Sequence, residues 1–405
     1  MTSDNPSVLR TEWSWLLVGV TAVLFLFFGS GWTADLSSPV KLVLIFVWLF
    51  VIILVAAFNV VRHADALAVI LGEPLGTLVL TLSVITIEVL MISAVMLTGS
   101  SQPTLARDTM FAVAMIVMNG LIGLALLVGG LRHHEQNYNL RGANAYLAVI
   151  LPLAVLGLVL PSFTKSTDDA TLSTGQEVIE IIVFLALYIV FLAIQTVRHR
   201  DLFMPPKPAL KISAEPGETV KVSQTETGTL QALTATTKQQ VKPVDPHIED
   251  HGGLVIRSIG FHAVMLLAFL IPVVVLSKQL AYPIDYTIGV TGAPVALGGF
   301  IVALLILSPE AMSGLRAAAS NRLQRSVNLY LGSVAATIGL TVPAVLIIGL
   351  ATGNDVILGL EPTGIILLSV TLAVSLLTFE SRRTNVLHGA VHLVLFAAYF
   401  MLIFD

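Results

Sequence analysis

Glu88 and Glu310 each stand alone inside a long apolar stretch. Each lies twelve residues after a glycine, Gly76 or Gly298, and two residues after a small hydroxyl side chain, Thr86 or Ser308. A carboxylate near the centre of a bilayer costs about 2.5 to 3.5 kcal/mol even on the lenient insertion scale, so it persists where it has a task. Two at one offset point to a paired ion site, in which carboxylate oxygens hold a cation or protons in turn. A single buried glutamate is explained equally by a protonated carboxyl bonded to a neighbouring helix; the repetition weighs against that. Thr86 and Ser308 are ligand candidates of second rank, because helical hydroxyls often bond the carbonyl four residues back. Pro309, directly before Glu310, removes a backbone hydrogen bond and predicts a kink that frees the carbonyl of Leu305. Hard oxygen donors suit Ca²⁺ and can hold Na⁺ or K⁺, but suit soft metals poorly.

The runs that follow the two glutamates are loosely alike: Met118-Asn119-Gly120-Leu121-Ile122-Gly123 in one half, Tyr330-Leu331-Gly332-Ser333-Val334-Ala335 in the other. Asn119 and Ser333 are further second-rank ion-site candidates, set against close helix packing through small residues. His388 and His392, four apart, have the spacing of a metal pair, but no third ligand is evident and packing is the simpler account. His133-His134-Glu135 and His247-Ile248-Glu249-Asp250-His251 read as solvated faces.

The elements that must position these groups follow from composition. Of 405 residues 56% are hydrophobic and 11% charged, against about 25% charged in a soluble domain, so the solvent is a bilayer. With no cysteine there are neither disulfides nor thiolate metal sites, and a net charge of -4 gives no sign of a nucleic-acid partner. About 20 apolar residues cross the hydrocarbon core. On that measure the expected fold is all-α and polytopic, with about 11 transmembrane helices near 14–30, 40–61, 74–98, 108–131, 145–162, 176–197, 254–276, 288–312, 326–350, 361–380 and 385–404. The first apolar run lacks a cleavable signal pattern and reads as a retained span. Residues 198–253, rich in Thr, Lys, Gln and Pro, cannot bury a core and read as a flexible cytoplasmic linker.

Counting basic residues in the short connections favours a cytoplasmic N-terminus and an outside C-terminus: Arg10, Arg62, Arg132, Arg141, Arg316, Arg322, Arg325, Arg382 and Arg383 against Lys41, Arg107, Lys165 and Lys278. Setting the first span aside leaves five on either side of the linker. An odd number of crossings makes the second five enter from the opposite face, which is an inverted repeat. The organisation expected is 1–38 with the extra helix, 39–197 as the first five-helix repeat, 198–253 as linker and 254–405 as the second repeat, each glutamate falling in the second span of its repeat.

Taken together, these residues resemble the Ca²⁺/cation antiporter superfamily, in particular its proton-coupled calcium exchanger branch and the bacterial ChaA-type calcium/sodium to proton antiporters. The likeness runs through Glu73-Pro74-Leu75-Gly76-Thr77-Leu78, Asn119-Gly120-Leu121-Ile122-Gly123, Leu131-Arg132-His133-His134-Glu135, Ser308-Pro309-Glu310-Ala311-Met312, Asn321-Arg322-Leu323-Gln324-Arg325, Leu331-Gly332-Ser333 and Thr341-Val342-Pro343. It spans the membrane part and omits the linker. Many members of the branch carry Gly-Asn shortly before the repeat glutamate, where this chain has Val84-Ile85-Thr86-Ile87 and Ile306-Leu307-Ser308-Pro309. The glutamates therefore carry over and an asparagine ligand does not.

The resemblance implies secondary active transport in the inner (plasma) membrane: a cation, Ca²⁺ or Na⁺ or K⁺, exported against protons at a midplane site formed by Glu88 and Glu310. The cargo is the only ion expected, with no resident cofactor. A channel or uniporter whose pore is lined by the paired carboxylates is the alternative, separable by proton-coupled flux. An intramembrane enzyme is disfavoured, since neither His-Glu-x-x-His nor paired intramembrane aspartates occur.

Overall fold

The computed structural model describes residues 8–72, 75–96, 103–167, 170–204, 255–381 and 383–404. These belong to one compact unit, Met1–Pro206 together with Val255–Asp405. Most of the expected linker, including its His247 and His251, lies outside the described residues, as do Glu73 and Pro74.

Among the described residues of this unit are eleven apolar helices, preceded by a single turn, Val8–Thr11. Nine are long and apolar enough to cross a membrane: α1 (Trp13–Thr33), α2 (Pro39–Leu71), α3 (Leu75–Met96), α4 (Leu105–His133), α5 (Leu140–Phe163), α6 (Thr174–Arg198), α7 (Ile259–Thr291), α8 (Ala296–Ala319) and α9 (Leu323–Thr352). The two shorter apolar helices are α10 (Pro362–Thr378) and α11 (Val386–Leu402). A two-residue antiparallel pairing, β1 (Gln136–Asn137) with β2 (Arg383–Thr384), sets Gln136 opposite Thr384 and Asn137 opposite Arg383. The polytopic all-helical fold expected from composition is the fold observed.

Local chemistry sets the helix ends. Pro39 and Pro362 occupy first turns, where a missing N–H costs nothing, and α6 opens on a capping box of Ser173 and Gln176. Asn385 caps α11 by accepting from Leu387 and His388 N–H. Gly292 and Gly353, at φ of 67° and 70°, end α7 and α9 in the left-handed conformation that a side chain disfavours.

Three spans depart from expectation, α2, α7 and α8, the last running Ala296–Ala319 where 288–312 was expected. Helix α2 continues to Leu71 through Arg62 and His63, and α7 runs 33 residues to Thr291 through Lys278, Pro283 and Asp285. At 1.5 Å per residue each is about 50 Å long, well beyond a hydrocarbon core of about 30 Å, so hydropathy alone placed their ends too early. Past Arg198 the chain also stays packed. A 3₁₀ turn, Arg200–Phe203, buries the Phe203 ring edge-on to Tyr146 at 5.2 Å and near Phe191.

Helices α4 and α9 are the most buried spans. Both contain a π-helical segment, Ile116–Leu121 in α4 and Thr337–Thr341 in α9, each one helix after the glutamate-bearing helix of its half. Such single-turn widenings expose carbonyls and recur at functional sites. Helix α8 runs through Pro309, which has no N–H to offer the Leu305 carbonyl, without a change of helix type, while the π-helical widening lies in the neighbouring α9. Opposite the β pairing, Ile357 N–H donates to Pro103 O, Leu360 N–H to Leu158 O, and Arg107 to Gly359 O at 3.2 Å, which ties the α9–α10 connection to three other elements.

Candidate ion-binding site

Helices α3 and α8 carry the two glutamates into the interior. Helix α3 holds no proline and a single charge, and its outward side chains are apolar apart from Thr86, whose hydroxyl bonds its own helix. Glu88 is 1% exposed and Glu310 8% exposed. Both carboxyls meet hydroxyls from one element, α9. Thr337 Oγ1 donates to Glu88 Oε2 at 2.8 Å, and Ser333 Oγ donates to Glu310 Oε2 at 2.5 Å.

Ser333 and Thr337 are one helical turn apart, so α9 holds the carboxyls side by side, near enough to act on each other electrostatically. Thr341, fully buried one turn further on, faces Glu88 as well. The second carboxyl oxygen of Glu88, Oε1, is buried and receives no hydrogen bond from the described protein groups. Two carboxyls, a line of hydroxyls and a widened helix turn thus form a buried cluster of hard oxygens.

The packing that holds this cluster is close. Tyr330, one turn before Ser333, donates its hydroxyl to Ala311 O at 3.0 Å, and its ring occupies the space in which a side chain at Gly314 would stand. That contact fixes α8 against α9 beside Glu310. On the other flank, Gly299 brings α8 against the backbone of Asp108 and Thr109 in α4, 2.8 Å from where a Cβ would lie.

Of the residues singled out from sequence, Glu88, Glu310 and Ser333 meet in this cluster. Thr86 and Ser308 do not: each bonds its own helix, to Leu82 O at 2.6 Å and Leu304 O at 2.5 Å, in exposed positions. The helical twist explains this, since two residues before a buried position the helix has turned about 200°. Asn119 is completely buried in the π segment of α4, but its bonds lead to other helices. Its amide donates to Thr371 Oγ1 at 2.8 Å, and its carbonyl lies 3.2 Å from His392 Nδ1.

His392 Nε2 in turn lies 3.0 Å from Thr378 Oγ1, so this histidine joins α4, α10 and α11. Among the described residues there is no cluster of three or more His, Asp or Glu able to hold a metal, which leaves His388 and His392 without the partners a metal pair needs. Thr337 and Thr341 were not singled out from sequence. Their signal was there: Ser333, Thr337 and Thr341 recur every four residues along one face of α9.

The model of the family described as sodium/calcium exchanger protein matches residues 41–197 and 261–404. The chain belongs to the sodium/calcium exchanger family. It is a membrane transporter of the exchanger kind. Among its relatives is the sodium-potassium/proton antiporter ChaA of Escherichia coli (strain K12), 40% identical over 389 residues, covering 96% of this chain and 95% of the relative. A putative ionic transporter, y4hA, of Sinorhizobium fredii (strain NBRC 101917 / NGR234), is 40% identical over 348 residues, 86% of this chain and 85% of that protein. In fold the chain is similar to native YfkE, with a TM-score of 0.67 at 16% identity over 96% of this chain and 99% of that one. It is also similar to the H⁺/Ca²⁺ exchanger CAX, with a TM-score of 0.60 at 12% identity over 97% of this chain and 88% of that one. Each family-matched segment carries one of the two glutamates, and residues 198–260 between them are unmatched.

Proposed function

We propose that this exchanger is a secondary active cation:proton antiporter that exports Na⁺, K⁺ or Ca²⁺ in exchange for protons at the Glu88–Glu310 site. The observation that carries the reading is the pairing itself: two intramembrane carboxyls from separate halves, each hydrogen-bonded to a hydroxyl one turn apart on α9. The antiport named for the 40% identical relative supports it.

The chemistry is competition for the same oxygens. In a medium that solvates charge poorly, two carboxylates side by side require either protons or a cation. With both protonated the pair is neutral; when a cation enters, its charge stabilises the carboxylates and protons leave. Thr337 and Ser333 donate to the carboxyls and have lone pairs to offer a cation. Occupancy is therefore exclusive. Helices α2–α6 and α7–α11 act as two inverted five-helix units that rock to open the site to each face in turn. The orientation places the N-terminus in the cytoplasm and the C-terminus outside the inner membrane. An inward proton gradient then drives cation efflux.

The test is cation-driven proton movement in proteoliposomes, followed with a pH-sensitive dye, for Na⁺, K⁺ and Ca²⁺ in turn. Cation addition is expected to release protons, and Glu88→Gln and Glu310→Gln, which keep shape and lose titration, each to retain less than about a tenth of the flux. A ten-fold loss corresponds to about 1.4 kcal/mol in the transition state, a small demand on the loss of one of only two charged ligands. Cation flux that moves no protons and is indifferent to pH would establish a channel or uniporter instead.

A further inference from the structure

A cavity of about 410 Å³ lies between α5 and α10 and touches neither glutamate. Helix α5 belongs to the first family-matched segment and α10 to the second, so the cavity is a seam between the two. Local sequence builds it. The pairing of Gln136–Asn137 with Arg383–Thr384 stands just before α5 and just after α10, and brings the first turn of one to the last turn of the other. Tyr138, 2% exposed, clamps that end: its hydroxyl donates to Ser381 O and lies 3.4 Å from Thr378 O, and its ring meets Phe379 edge-on at 5.6 Å. Beyond the clamp the gap stays open at Ala148, the smallest side chain of the lining.

The walls and the mouth differ in chemistry. Leu147 and Leu151 of α5 face Leu376 and Leu377 of α10 across the gap, and all but Leu147 are well exposed, so hydrocarbon is what meets them in a bilayer. The mouth lies where both helices end, at the level of the headgroups. Arg141, Asn144, Ala148 and Leu151 follow at steps of three, four and three residues, which is one stripe along a helix, and all four are exposed. Glu380, also exposed, stands just past the last turn of α10 and lines the same end. Neither Arg141 nor Glu380 forms an ion pair among the described residues.

We propose that the α5–α10 seam binds one molecule of phosphatidylethanolamine, which wedges the two family-matched segments together. The mouth offers a guanidinium and an amide as donors and a carboxylate as acceptor beside an apolar slot, the complement of this zwitterion. Its phosphate accepts from Arg141 and Asn144, its primary ammonium donates to Glu380, and one acyl chain lies between the leucines. Phosphatidylcholine has no N–H to give Glu380, and phosphatidylglycerol brings no cation to it. A ligand that binds only the folded protein also stabilises it, so the wedge has a thermal signature. The ion chemistry plays no part: Glu88→Gln is expected to hold the lipid as the wild type does.

The test mixes the purified full-length protein in mild detergent with equal amounts of phosphatidylethanolamine, phosphatidylcholine and phosphatidylglycerol of one acyl composition. Native mass spectrometry then counts the retained lipid. The wild type is expected to retain one phosphatidylethanolamine at least about fivefold over either competitor. Glu380→Gln is expected to bring phosphatidylethanolamine and phosphatidylcholine within about twofold of each other, because the amide no longer attracts the ammonium. Ala148→Phe fills the slot and is expected to lower retention of every lipid by at least about fivefold. Both side chains are exposed, so neither substitution disturbs the core.

Thermal unfolding supplies the second measurement. Added phosphatidylethanolamine is expected to raise the melting temperature of the wild type by several degrees and that of Ala148→Phe by less than about one degree. Equal retention of the three headgroups overturns the site, as does a preference for phosphatidylglycerol, which would mean that the basic residues around the helix ends choose the lipid. A phosphatidylethanolamine preference that survives both Glu380→Gln and Ala148→Phe overturns it as well. So does a wild-type melting temperature that rises equally with all three lipids.

Discussion

At the scale of residues, the site depends on which face of a helix a hydroxyl occupies. Thr337 and Thr86 are both threonines near Glu88, yet Thr337 reaches the carboxyl from α9 and Thr86 bonds back to its own helix. Removing a hydrogen bond to a buried polar group costs about 1–3 kcal/mol. Thr337→Val, which keeps the shape, is therefore expected to change apparent cation affinity by about 5- to 150-fold, with Thr337→Ser close to wild type and Thr86→Val within about twofold. Titrating proton release against cation concentration for the three variants checks this. Ser333→Ala and Ser308→Ala should divide in the same way at Glu310. On the proposed antiport the pH dependence has a definite sign: with protons and cation competing for the same carboxylates, apparent cation affinity is expected to weaken as pH falls, and both the affinity change and the proton release to vanish together in Glu88→Gln and Glu310→Gln.

At the scale of elements, the glutamate helices are held by backbone contacts that leave no room for a side chain. A Cβ at Gly299 would stand 2.8 Å from backbone atoms of Asp108 and Thr109, and these cannot rotate aside as a flexible side chain could. Overpacking of this sort costs about 1–3 kcal/mol. Gly299→Ala is expected to lower the melting temperature of the detergent-purified protein by several degrees and to reduce exchange by displacing α8 from α4. Gly289→Ala, where nothing lies within 4 Å, is the matched control and should be neutral or slightly stabilising, because alanine favours a helix over glycine. Thermal unfolding followed by size-exclusion chromatography separates the two. Equal stability of both variants would show that α8 and α4 can part without cost.

At the scale of the whole molecule, the segment between the halves is separable in composition from everything else. Deleting Lys211 to Lys242, which contains no aromatic residue, is expected to leave proton-coupled flux within about twofold of wild type. A deletion that extends back through Phe203 should fail, since that ring packs on Tyr146 and Phe191; purified yield and flux of the two deletions make the comparison. The same contrast marks what sequence could and could not reveal. Solvent, fold class, the number of helices and the two glutamates were legible because a bilayer imposes length and apolarity on every crossing, and a lone charge within such a crossing stands out. The hydrophobic lengths failed at α2 and α7, which extend past the bilayer thickness where hydropathy gives no signal. Ser333 was legible as a candidate, whereas its bond to Glu310, the role of Thr337 and the outward turn of Thr86 and Ser308 were not. Sequence orders residues along a helix, but which hydroxyl meets which carboxyl is decided by the rotation of one helix against another. That rotation is set by contacts such as Tyr330 with Gly314 and Gly299 with Asp108, which join residues far apart in the chain and exist only once the helices are packed.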